Sequence, residues 1–474
     1  MNTRRKATIA TAAAIAAIAL ATPPANAAEP NATAIDDYLT ELVDTTGVPG
    51  LAATVTHGDQ VIHAAGYGHD TNGDPITEHT PMRVASVSKA FTSTAVMILA
   101  EEGRIALDDT VASQLPEFDM QDPRADHITV RQLLNQTSGF SDTTIDVVEL
   151  ETATSLQDYV TRLGDDTLAT DPGTDWAYCN ANHNVAARLV EVASGQPFAD
   201  FMQERVFNPL AMTDSATNDH TITPALGHNS LFGLWIPREE APGFLTDSGS
   251  GGIISSAADM AQWLITQNGQ GEQLLTPETL QALHTPSPVQ DYALGWDVQP
   301  DGTLVHSGNL MTYNAVQWID PATGYGIAVL TTGAGLADVT YAALDGLTAI
   351  LDGETPETPT NPRGTFELAL AAVALAAIAL AALGITRSRR WARKHTTLRA
   401  PATWLRLTWL LIPAAAFAAY PAGVSLISGG RTITWPSVWY FALPFTLTLL
   451  ITGLAGVAVL VARVWRLRSI GSAS

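Results

Sequence analysis

The sequence predicts an α+β domain, an antiparallel sheet flanked by helices with a helical insertion lobe, followed by three transmembrane helices. Strand patterns lie near both ends of residues 28–352, mainly helical patterns fill the stretch between them, and three long apolar runs come after.

The elements follow in chain order. Arg4, Arg5 and Lys6 precede an apolar run over residues 9–20, and Ala25-Asn26-Ala27 has the small-x-small form that a signal peptidase cuts. Residues 1–27 are therefore expected to be a signal peptide, and the domain behind it to be extracytoplasmic. Residues 34–43 space their apolar side chains like a helix, and residues 51–55 and 60–66 read as two strands joined at His57-Gly58-Asp59. A helix is expected from Ser86 to Gly103, where glycine ends it. Shorter helical patterns separated by Pro, Gly and Asp include residues 130–135, 156–163 and 183–194. Strand signals return at 292–298, 304–306, 315–319 and 326–331, before an amphipathic helix over 338–351. A sheet closed by strands from both ends, with a helical lobe between, places a cleft where the two lobes meet.

Residues 353–364, rich in Pro, Thr and Glu, read as an extended linker to a membrane domain over 365–474. The spans are expected at about 368–385, 404–427 and 439–461. Arg387, Arg389, Arg390, Arg393, Lys394 and Arg399 follow the first run and Arg463, Arg466 and Arg468 the third, whereas the loop between the second and third holds only Arg431. Positive charge collects on the cytoplasmic side, so the expectation is a multi-pass protein of the cell membrane with its large domain outside and its C-terminus in the cytoplasm.

Charge divides the chain sharply. Of 24 Lys+Arg, three lie in the leader and twelve from Arg363 onward, which leaves nine against 46 of the 47 acids and a formal charge of −37 for residues 28–362. Nucleic acid is excluded as a partner by that sign. The acids show no ligand spacing, so no metal and no other cofactor is expected. With Cys179 the single cysteine, no intramolecular disulfide forms and burial must hold the domain together.

Ser86-Val87-Ser88-Lys89 sets a hydroxyl and an amine three residues apart at a helix start, on one face and one turn apart. A lysine there can deprotonate the serine if it is neutral part of the time, which burial and a helix N-terminus favour. Lys89 is the only lysine between the leader and the apolar runs. Tyr178-Cys179-Asn180 follows the turn Asp171-Pro172-Gly173 and offers a phenol and an amide. A neighbouring cation such as Lys89 would stabilise the phenolate for proton relay, and Asn180 would hold Lys89 and a substrate amide. His306-Ser307-Gly308 ends a predicted strand, where small residues let an extended substrate lie against the edge and the backbone beyond Gly308 donate to an oxyanion.

These three elements, in this order, resemble the class C β-lactamase and D-alanyl-D-alanine carboxypeptidase type of penicillin-binding protein. The likeness extends to Met82-Arg83-Val84-Ala85, to Arg104-Ile105-Ala106-Leu107-Asp108-Asp109, to Leu133-Leu134-Asn135-Gln136-Thr137-Ser138-Gly139, to Pro172-Gly173 and to the segment from Gly251 to Met260, covering residues 33–351. It implies a β-lactamase/transpeptidase-like fold, acylation of Ser86, proton movement by Lys89 and Tyr178, and support from Asn180. His306 stands where the β-lactamases usually carry lysine. The resemblance also implies an oxyanion hole from the N–H groups of Ser86 and Asn309, substrate contacts from His306, Gly308 and Asn309, and a small neutral filler at Cys179. A neutral histidine attracts a substrate carboxylate less than lysine does, so activity on carboxylate-bearing substrates is expected to rise below about pH 6.5 as imidazole gains charge.

The expected function is a membrane-anchored serine hydrolase acting on a small molecule or peptide, whether a cell-wall D-alanyl peptide, a β-lactam, an ester or another D-amino-acid peptide. An alternative is a penicillin-binding sensor, acylated without turnover and signalling through the helices to a protein partner. A channel or transporter would need ionisable groups inside the spans. Residues 368–385 and 439–462 contain no charged residue and Arg406 sits near a cytoplasmic end where it can snorkel, so the helices read as an anchor in the lipid bilayer, although one helix would suffice for that.

Overall fold

The computed structural model describes residues 32–239, 243–395, 400–428 and 431–471. The expected signal peptide over residues 1–27 and Arg399 lie outside the described residues.

The chain opens with helix α1 (Ala32–Thr46), whose Ile35, Leu39 and Leu42 are fully buried along one face. It continues through strands β1 (Gly50–His57) and β2 (Gln60–Gly68) to helix α2 (Ser88–Glu101). The helical lobe contains α3 (Asn180–Ser194), and the chain returns through α4 (Ala257–Gln267) to β3 (Asp297–Val298), β4 (Leu304–Asn309), β5 (Asn314–Asp320) and β6 (Tyr325–Thr331). Helix α5 (Val339–Leu351) closes the domain. The six strands form one antiparallel sheet in the order β2-β1-β6-β5-β4-β3, so N- and C-terminal strands meet at the β1–β6 pair.

Alternation along the strands separates two cores. Leu51, Ala53 and Val55 of β1 and Ile327 and Val329 of β6 face one way, against α1 and α5. Ala52, Ala328 and Leu330 face the other way, toward α2 and α4. There Trp263 of α4 stacks on Phe91 of α2 at 3.6 Å between ring centroids and donates from Nε1 to Gln317 Oε1 of β5 at 2.9 Å.

The expected α+β architecture stands, with local differences. The helix expected from Ser86 is a 3-10 turn over Ala85–Val87 that passes into α2 at Ser88. The strand expected over 292–298 shrinks to Asp297–Val298, because Gly295 turns the chain at φ 85 and a Cβ there would sit 2.9 Å from the backbone of Lys89 and Ala90. The sequence pattern does not show a short sheet of Gly333–Ala334, His228–Leu231 and Leu234–Pro237, because two to four residues are too few for an alternation to appear.

Beyond the domain, helix α6 (Pro362–Thr386) and helix α7 (Leu443–Gly471) are long and apolar enough to cross a membrane. Helix α6 starts six residues before the expected span because the Asn361 side chain accepts from Gly364 N–H at 2.7 Å and Pro362 takes the first helical position. The second expected span, 404–427, is not one helix. Residues 403–418 and 420–427 meet at 60°, where Pro421 lacks the N–H that would continue the ladder.

The near ends of α6 and α7 both dock on the sheet-and-helix domain. Arg363 is buried, donating to Thr46 O at 3.0 Å and lying 4.2 Å from the Trp235 ring, and Glu367, fully buried, pairs with Arg363 at 3.3 Å and accepts from Gly233 N–H at 2.8 Å. Ahead of α7, Trp439 O accepts from Arg238 Nη1 at 2.8 Å. Residues 403–427 therefore carry the chain back from the far end of α6 to the domain.

Candidate active site

Ser86 sits in the 3-10 turn just ahead of α2, after Ala85, whose φ of 52 is strained for a residue with a Cβ. The turn holds the Ser86 side chain at the junction of the sheet and the helical lobe, partly exposed. One turn on, Lys89 is fully buried, with Nζ 3.1 Å from Ser86 Oγ, 2.9 Å from Asn180 Oδ1 and 2.8 Å from the Ser250 carbonyl.

Those three partners are compatible with a neutral amine. Asn180 Oδ1 and Ser250 O only accept, while Ser86 Oγ can donate its own proton. A neutral amine has two N–H groups and one lone pair, which fit two acceptors and one hydroxyl donor. Desolvation, and then the Arg431 cation, hold the Lys89 amine well below the usual lysine range.

Asn180 is the first residue of α3. The loop before it is pinned by Gln136, which adopts φ 63, accepts from the Ala177 N–H at its backbone oxygen and from the Cys179 N–H at Oε1, both at 3.0 Å. Tyr178 is thereby placed with its ring centroid 4.8 Å from Lys89 Nζ and its hydroxyl hydrogen-bonded to Ser86. Burial pushes the phenol up to about 12, outweighing that hydrogen bond and the Arg431 charge. The expected phenolate is thus disfavoured, and Tyr178 carries its proton at neutral pH. The Cys179 thiol is fully buried and raised chiefly by desolvation, so it stays protonated.

Strand β4 walls the other side. A Cβ on Gly308 would fall 2.3 Å from Val84 O, 2.8 Å from Ala85 Cβ and 2.9 Å from Ser86 N, so only glycine lets the strand lie against the turn that carries Ser86. Leu310 N–H donates to Tyr313 O at 3.0 Å, and the antiparallel alternation running back from that pair turns the N–H and C=O of Asn309 and Ser307 away from β5, toward the cleft edge. Asn309 thus directs its N–H toward the cleft edge one residue beyond Gly308, which packs against the backbone of the Ser86 turn. The Asn309 side chain is engaged within its own hairpin, donating to Asn314 Oδ1 at 2.7 Å.

His306 overturns one expectation. Its ring is 3 % exposed, with Nδ1 2.8 Å from Ser307 O and Nε2 3.1 Å from the Tyr292 hydroxyl. The carbonyl can only accept, so Nδ1 carries the proton and Nε2 accepts from the phenol. Desolvation, and next the Lys89 charge, push the imidazole down to about 3. It gains no charge between pH 5 and 8, and the expected gain of carboxylate binding below about pH 6.5 has no group to produce it.

The structure brings Ser86, Lys89, Tyr178, Asn180, Gly308 and Asn309 around one cleft, with His306 behind its wall. Sequence reasoning missed the Ser250 carbonyl, Gln136 and Arg431. The first two lie in or beside the segments 133–139 and 251–260, which the resemblance had marked without giving them a task. Arg431 had been read only for topology.

Residues 35–349 match the family model described as Beta-lactamase. Protein flp of Staphylococcus aureus (strain N315) is 29% identical over 300 residues, covering 60% of this chain and 59% of the relative, so the chain matches less than two thirds of that relative's length. The putative penicillin-binding protein PbpX of Bacillus subtilis is 27% identical over 288 residues, 59% of this chain and 68% of PbpX. Among solved structures, the octameric penicillin-binding protein homologue from Pyrococcus abyssi aligns with a TM-score of 0.61 at 22% identity, covering 69% of this chain and 78% of its own. EstCE1, a hydrolase with promiscuous acyltransferase activity, aligns at 0.56 and 21% identity over 64% of this chain and 93% of its own. The structural likenesses are of fold.

Proposed function

Because this chain belongs to the β-lactamase family of serine hydrolases, we propose that Ser86 is its nucleophile and Lys89 the base that activates it, in a membrane-anchored hydrolase that works through an acyl-enzyme. The observation that carries this reading is the buried Lys89 amine, 3.1 Å from Ser86 Oγ with its two N–H groups taken by Asn180 Oδ1 and Ser250 O. Such an amine offers its lone pair to the serine proton and little else.

In the proposed acylation, Ser86 Oγ forms a bond to the substrate carbonyl carbon while its proton passes to Lys89 Nζ. The oxyanion is met by the N–H groups of Ser86 and Asn309. Collapse breaks the scissile C–N or C–O bond, Tyr178 gives its proton to the departing amine or alkoxide, and Lys89 restores the proton to Tyr178. Water then attacks the ester and loses its proton to Lys89, which passes it to Ser86 Oγ as the serine leaves as the alcohol. Gly308 keeps β4 close enough for an extended substrate to pair with its edge, and His306, held neutral, fixes that edge. Substrates of this reading are D-alanyl peptides, related amides and esters.

The domain plan that goes with it is a signal peptide over 1–27, the hydrolase domain over 28–352 outside the membrane, a linker from 353 that ends at Asn361, where α6 begins, and three crossings from α6 onward, the middle one broken at 60°. The C-terminus would then be cytoplasmic, in keeping with the basic residues that follow α6.

The test is to incubate the full chain and its Ser86→Ala variant with a fluorescent penicillin and a chromogenic ester, measuring covalent labelling and turnover. Labelling and turnover that vanish together in the variant support the hydrolase. Labelling without turnover of either probe would favour the sensor, and activity that survives in Ser86→Ala would remove Ser86 from the chemistry.

A further inference from the structure

We propose that Arg431, on the loop between the helix of residues 420–427 and α7, is a substrate-binding residue of this active site, and that its guanidinium receives a free carboxylate on the substrate's leaving group. The inference rests on the acyl-enzyme reading above and adds the substrate class that the cleft selects.

Placement is the first ground. Arg431 Nε lies 2.7 Å from Asp142 Oδ2, and Cζ lies 5.2 Å from the ring centroid of Tyr178, which itself sits over Lys89. Arg431 therefore stands on the tyrosine side of the cleft, the side from which the leaving group takes its proton. The loop is tied there by more than this pair. Thr432 Oγ1 donates to the Asp142 carbonyl, and Ile433 N–H donates to Ser425 Oγ at 2.8 Å.

Availability is the second ground. The Asp142 side chain is 5% exposed and that of Arg431 39%, so the acid is covered while the cation stays within reach of solvent and ligand. Asp142 meets Nε, and no other carboxylate pairs with this guanidinium among the described residues. The two terminal nitrogens keep the planar fork that suits a carboxylate.

Need is the third ground. Substrate contacts beside β4 come from a strand whose histidine has no positive charge to give, and Lys89, the other basic side chain at the cleft among the described residues, is a buried neutral amine engaged with Ser86, Asn180 and Ser250. In a domain with nine basic residues against 46 acids, a substrate anion would otherwise meet an unfavourable field. The cation is supplied from outside the domain, by a loop that exists only because the chain returns through residues 403–427. A single anchoring helix could not deliver it, which gives the additional helices a task.

The experiment uses the full chain in detergent micelles and two thioesters with the same acyl group, one releasing mercaptoacetate and the other its methyl ester. For Arg431→Gln, the ratio of kcat/KM for the carboxylate thioester to that for the methyl ester is expected to fall about 10- to 100-fold, with partial recovery in Arg431→Lys, the range for one charge-assisted contact. An unchanged ratio overturns the proposal, including the case in which both substrates lose activity equally because the loop has lost its place. Binding is measured separately in the Ser86→Ala background, where Arg431→Gln should weaken Kd for the carboxylate thioester by a similar factor. An equal Kd overturns the proposal, and because this arm needs no turnover, it decides on Arg431 even if Ser86 proves not to be the nucleophile.

Discussion

Replacing Gly308 by alanine tests the contact on which the geometry of the nucleophile depends. The added Cβ would lie 2.3 Å from Val84 O, where ordinary contact begins near 3.4 Å, so strand and turn must separate by about 1 Å. Neither side yields cheaply. Two of the three nearest atoms are backbone, and the third belongs to Ala85, already held at φ 52. A shift of about 1 Å at Ser86 misplaces the attacking oxygen and half of the oxyanion hole, which costs roughly 10²-fold in acylation rate. The overpacking itself costs about 1–3 kcal/mol of stability. The assay is the rate constant for covalent labelling by a fluorescent penicillin, with hydrolysis of a chromogenic ester beside it and a thermal melt of each protein. A labelling rate within about threefold of the native value would refute the reasoning, whatever happens to the melt, because the strand would then not be what positions the nucleophile.

Four further outcomes are expected. Lys89→Met should lower acylation by about 10²- to 10⁴-fold while leaving stability unchanged or higher, since an apolar chain replaces a buried amine; activity assay and melting curve together check both. The native labelling rate should rise with pH through the lowered Lys89 value, because the reactive form is the neutral amine present above it, and level off well below the pH at which a free lysine titrates. For a carboxylate-bearing substrate, dividing kcat/KM by that of its neutral counterpart should give a ratio that is flat from pH 5 to 8, because His306 is held at about 3; a rise toward pH 5 would mean that the imidazole charges in the cleft. Arg363→Met leaves Glu367 buried without its partner and should cost about 3–5 kcal/mol, read as faster hydrogen exchange in residues 228–237, where Gly233 N–H depends on that carboxylate.

Much of the site was legible because its parts are local. Ser86 and Lys89 are three residues apart at a helix start, so helical geometry alone puts them together, and Tyr178 and Asn180 share one short loop. The apolar runs around residues 368–385 and 439–461 were legible for a similar reason, since length and composition need no partner. In the run over 404–427, composition did not show the break between residues 418 and 420, which depends on how the chain accommodates Pro421.

What the sequence by itself determined was the set of reactive groups and their order: a serine one helical turn from the domain's one lysine, a Tyr-x-Asn loop, a His-x-Gly strand end and the periodicities that build an α+β domain with apolar helices behind it. Only the tertiary structure decided their states. Burial lowers the Lys89 amine, keeps the Tyr178 proton in place and holds His306 neutral, and none of these follows from residue type, because desolvation depends on what the rest of the fold removes from water. Long-range contact likewise decided that Ser250, 161 residues from Lys89, completes its hydrogen bonds, and that Arg431, which the sequence offered only as a lone charge in a loop, comes to lie beside Tyr178.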